Sequence, residues 1–123
     1  MANEQAISSL VGVRSAIGVG AWVAPRISGR LFGLDIPGNP QAPYLARLFG
    51  VRDAALAYGL QSTRGAARVQ WLKIGIACDV ADALAGVFAG RRGELPVFAA
   101  VLVTSTALGA AALGVAALQG EPA

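Results

Sequence analysis

Five ionisable residues fall well inside predominantly apolar stretches of this 123-residue chain: Arg14, Arg52, Asp53, Asp79 and Asp82. Inside a membrane helix each Arg or Asp costs about 2.5–3.5 kcal/mol if it faces lipid alone. Such groups therefore face one another or a wet cavity, and there they lock helices together or serve as proton relays and binding sites. The nearly matched numbers of Arg and Asp favour a structural ion-pair network over a relay. Asp79 and Asp82 also have the spacing that lets two carboxylates share a hard cation. The longer run of paired acids found in diphosphate-binding membrane enzymes is absent, so no metal is expected.

The elements that must carry these charges follow from composition. Apolar residues make up 55% of the chain and charged residues 14%, against about 45–50% and about 25% in average soluble domains. That balance excludes a disordered chain and argues against an ordinary soluble domain of this length. Four apolar segments, about residues 7–24, 44–60, 71–89 and 95–118, lie near the length of a membrane span, roughly 20 residues. The reading is a single integral membrane domain over residues 1–123, an all-α four-helix transmembrane bundle. Glu4 before the first segment and Arg14 within it are wrong for a signal peptide, so that segment is kept as a helix. Residues 27–34 in the Pro-rich joint between Pro25 and Pro43 read as a short interfacial turn. Trp22, Tyr44 and Trp71 sit at span ends and read as interface anchors.

Depth along the helices brings the charges together. Arg14 lies twelve residues before Arg26, and Asp79 twelve before Arg91, which places both roughly 18 Å below one surface. Arg52 and Asp53 fall near the same level on an antiparallel helix. Small residues accompany the charges at helical spacing: Gly18 with Arg14, Gly50 with Asp53, and Gly75 and Gly86 with Asp79 and Asp82. Such residues let membrane helices approach closely. Arg52 and Asp53 are about 100° apart on a helix and should serve different neighbours.

Gly50, Arg52 and Asp53 form a Gly-x-Arg-Asp motif within the segment from Tyr44 to Leu60. With the acidic helix carrying Asp79 and Asp82 that follows, it resembles small four-helix membrane proteins classed as a domain of unknown function. The likeness runs roughly from Gly18 to Gly86. It implies a four-helix membrane fold and supplies no activity.

Other chemistries find little footing. The chain has no histidine, the usual general base, and Cys78 is its single cysteine, so no internal disulfide can form. Gly18-Val19-Gly20 lacks the remainder of a dinucleotide-binding fingerprint. Thr104, Ser105 and Thr106 should bond back to their own helix rather than act as nucleophiles. The net charge of +3 comes from arginines scattered without a basic run, which argues against nucleic acid. Counting Arg26, Arg30, Arg47, Arg91 and Arg92 against Arg64, Arg68 and Lys73 places both termini outside. The expectation is a non-enzymatic accessory or scaffolding component of the plasma (inner) membrane, without a cofactor. Its partners would be the bilayer and other membrane subunits or copies of itself. The alternative is a small proton- or cation-coupled carrier using the mid-membrane carboxylates.

Overall fold

The computed structural model describes residues 2–120 as five α-helices: α1 (Ala2–Val23), α2 (Pro25–Leu31), α3 (Ala42–Ser62), α4 (Gly65–Arg91) and α5 (Val97–Gln119). Proline and glycine set the breaks. Pro25 disfavours helical geometry at Ala24, which leaves α1 at φ −132° and ψ 66°, and then serves as the first residue of α2. Two helices end in the same hydrogen-bonded cap. At the end of α2 the Gly33 and Leu34 amides donate to the Arg30 and Gly29 carbonyls. At the end of α4 the Gly93 and Glu94 amides donate to Gly90 and Ala89. Both caps need a left-handed residue, supplied by Gly33 at φ 79° and Gly93 at φ 71°. Asp35 shapes the Pro-rich turn before α3, accepting from the Gly38 amide at 3.1 Å.

Helix pairing is uneven. α1 packs closely on α3, α4 packs closely on α5, and α1 and α5 join the two pairs. α3 and α4 meet along a thin seam, and α1 and α4 lie diagonally opposed without close backbone approach. The short α2 lies across α1 and α3. At the end near the described termini, Ala6, Ile7, Leu10, Leu60, Leu72 and Ala117 form an apolar plug.

The expectation of a four-helix transmembrane bundle is overturned. The joint after Pro25 contains a fifth helix, where residues 27–34 had read as a turn. Of the four expected spans, only the helical segments Glu4–Val23 and Val97–Gln119 are long and apolar enough to cross a membrane. The physical reason is charge density. Any 18-residue stretch of α3 must contain Arg47, Arg52 and Asp53. Any such stretch of α4 contains Asp79 and Asp82 together with Lys73 or Arg91. The segments expected at 44–60 and 71–89 are helical but fail as spans on that ground.

The α1–α3 contact depends on glycine. A Cβ at Gly50 would lie 2.6 Å from the Gly18 carbonyl oxygen, and one at Gly18 would lie 2.8 Å from the Gly50 carbonyl oxygen. Backbone meets backbone there, so neither side can yield by rotating a side chain. Gly50→Val should therefore destabilise the fold by about 1–3 kcal/mol through overpacking, read as a lower thermal midpoint by circular dichroism in detergent. An unchanged midpoint would refute the close α1–α3 contact.

Candidate functional site

Arg14 on α1 reaches across the diagonal to α4. Its Nη1 donates to Asp79 Oδ1 at 3.1 Å and its Nη2 to Asp79 Oδ2 at 2.7 Å. This two-pronged geometry is the strong form of a charge-assisted bond. Both side chains are buried, at 6% and 5% exposure. Gly75, one turn before Asp79, leaves room for the guanidinium: a Cβ there would lie 2.9 Å from Arg14 Nη2.

Arg52 on α3 makes the same kind of bond across the seam to α4. Its Nη1 and Nη2 donate to Asp82 Oδ1 and Oδ2 at 3.1 and 2.5 Å. The pair is about one-third exposed, at 36% and 30%, so it contributes less than the buried one, on the order of 1 kcal/mol or below. The Arg52 guanidinium also lies 4.7 Å from the centre of the Phe49 ring, within reach of a cation–π attraction. Its Nε is buried without a hydrogen-bond acceptor.

Asp53 differs from the other two aspartates. It is 4% exposed, yet among the described residues it enters no hydrogen bond or ion pair. It feels the attraction of Arg14 and Arg52 and the repulsion of Asp79 and Asp82 at longer range. The five expected charges thus occupy one region, but as two closed pairs and one carboxylate left over. Asp79 and Asp82 each bind a different arginine, which argues against the two sharing a cation.

A third pair did not emerge from the sequence. Arg68 on α4 donates to Glu4 on α1 at 3.1 and 3.4 Å. Arg68 precedes the third apolar segment, which begins at Trp71, so the sequence alone places it beside the termini. Helix α4 instead begins at Gly65 and buries Arg68. One signal was present. The Glu4–Arg68 and Arg14–Asp79 pairs are separated by 64 and 65 residues, as two parallel helices in register require.

The remaining residues fall as follows. Gly86 sits against Thr104 and Val103 of α5. Trp22 and Tyr44 are exposed, whereas Trp71 packs over Gly59. Thr106 donates to the Leu102 carbonyl of its own helix at 2.8 Å. Arg47 donates to the Trp22 carbonyl at 3.0 Å, closing one of the backbone acceptors left open where α1 ends. Cys78 is a half-buried free thiol.

A cavity of about 520 Å³ opens between the charge cluster and α2. Arg14, Asp53, Asp79 and Asp82 line its polar side; Ile17, Phe32, Leu34, Leu45, Phe49 and Val103 are among its apolar walls. The volume falls within the roughly 300–1,000 Å³ of small-molecule sites.

Comparison with protein families, with curated proteins and with solved structures finds no match to this chain.

Removing one partner of a buried pair strands the other, at about 3–5 kcal/mol, while removing both is often nearly neutral. Arg14→Met should accordingly lower stability by that order, and Arg14→Met combined with Asp79→Leu should recover most of it. A denaturant titration of both variants checks this. A double variant as unstable as the single would remove the pair from its structural role.

Proposed function

We propose that the protein is a membrane-embedded, non-enzymatic accessory or scaffolding component, held in the bilayer by α1 and α5. In this reading its Arg/Asp pairs hold the helices in place. The supporting observation is the inverted distribution of polarity. Arg14, Asp53, Arg68 and Asp79 are buried, while large apolar side chains of α1 and α5 such as Val13, Val19, Phe98, Val101, Leu108 and Val115 are exposed. In water this arrangement would expose a large apolar surface and desolvate four charges, both unfavourable. In lipid the same arrangement is the stable one, because exposed aliphatic groups cost nothing and charges must turn inward.

The two candidate spans fit this reading. Only 33% of the most apolar window of the first and 22% of the second is buried within the fold, so neither resembles the enclosed core helix of a soluble protein. With α1 and α5 both crossing, the protein is multi-pass, and the plasma (inner) membrane is its proposed location. The accessory role rests on the closed ion pairs: Arg14 and Arg52 spend their terminal nitrogens on Asp79 and Asp82, a use that builds structure rather than chemistry. The exposed apolar flanks then face lipid and neighbouring subunits or further copies of the chain.

Two measurements test this. After expression the chain should stay in the membrane pellet through alkaline carbonate extraction, and Val101→Lys with Leu108→Lys on the exposed side of α5 should weaken that retention severalfold. Release of the unsubstituted chain into the soluble fraction would overturn the membrane placement. Native mass spectrometry from mild detergent should show a stoichiometric assembly with itself or another subunit. A lone monomer at all concentrations would overturn the accessory role.

A further inference from the structure

We infer that the cavity beside Asp53 is a binding site for a hydrophobic organic ammonium ion, with Asp53 as its counter-ion. Three observations carry this. First, Asp53 is 4% exposed and lines the cavity, and no donor among the described residues engages it. A buried charge without a partner is costly, and the neighbouring pairs show that this fold supplies partners where a charge is structural. Second, the arginines are already committed. Arg14 and Arg52 are matched by Asp79 and Asp82, so the third carboxylate leaves the cluster with one negative charge in excess. A monocation neutralises it.

Third, the remaining walls select the body of the ligand. Val13, Ile17, Leu34, Leu45 and the rings of Phe32 and Phe49 surround the polar patch. They would take an alkyl or aryl chain. A phosphate-bearing lipid headgroup fits poorly. The one cationic side chain lining the cavity is Arg14, and both its terminal nitrogens already donate to Asp79. The ligand class is therefore an amine with an apolar body and no anionic group. The site stands on the cavity's own geometry and does not require the accessory role or the membrane placement proposed above.

Isothermal titration of the purified full chain in maltoside micelles tests the assignment, with micelles alone as background. The probes are 4-phenylbutylammonium, its neutral analogue 4-phenylbutanol and the anion 4-phenylbutanoate. The unsubstituted protein should bind the ammonium at least tenfold more tightly than the alcohol and should not bind the anion. Asp53→Asn should erase the preference for the ammonium while retaining the helical signal and a thermal midpoint no lower than that of the unsubstituted protein. Ala46→Phe, which fills the cavity and leaves both ion pairs in place, should weaken ammonium binding at least tenfold, and it keeps the test decisive if Asp53→Asn fails to fold. Equal affinity for ammonium and alcohol, absence of binding, or undiminished ammonium binding by either folded variant would overturn the site.

Discussion

The Arg14–Asp79 ion pair is the constraint on which the arrangement depends. It joins α1 and α4, the two helices on the diagonal whose backbones do not approach each other. Close backbone packing does not hold that diagonal: small residues bring α1 to α3 and α4 to α5, and apolar side chains reach across only in the plug at one end. A long guanidinium side chain and a carboxylate span the gap. The Glu4–Arg68 pair spans the same diagonal nearer the termini, and Arg52–Asp82 crosses the thin α3–α4 seam. Each ion pair thus lies where helix packing is weakest. Glycine and alanine dictate the close contacts, and salt bridges dictate the open ones.

This division of labour has a consequence for the interior. The plug of Leu10, Leu60, Leu72 and their neighbours fills one end. Beyond the charges, the helices stay apart and α2 spans part of the opening. A cavity is what remains when α1 and α4 are held at arm's length by paired side chains instead of being packed together. The chain's polarity is inverted for the same reason. Outside that plug its buried positions are mostly small residues and charges, and most of its bulky apolar side chains point outward.

Parts of this were legible in the residues themselves. A constant rise per residue put Arg14 and Asp79 at one depth, and the 100° step between Arg52 and Asp53 indicated different neighbours. The stripe of Gly75, Asp79, Asp82 and Gly86 marked the working face of α4. Other parts were hidden. Arg68 follows shortly after Gly65 and read as connector, because a charge near a polar joint looks solvated until the helix start is known. Pro25 read as a stop, yet the same residue begins α2, since a fixed φ and a missing donor suit the first turn of a helix as well as the end of one. The apolar segments in α3 and α4 are helical, but their charge density removes them from the class of spans.

By itself the sequence determined the all-helical character and the level at which the charges meet. These depend on local backbone geometry and on a fixed rise per residue. Only the tertiary structure decided which carboxylate each arginine takes, because that depends on which helices sit side by side and which lie across a diagonal. It also decided that Asp53, among the described residues, is left without a partner on the polar side of a largely apolar-walled cavity. Three aspartates are equivalent in a sequence. They become different only when two arginines have been placed within reach of two of them.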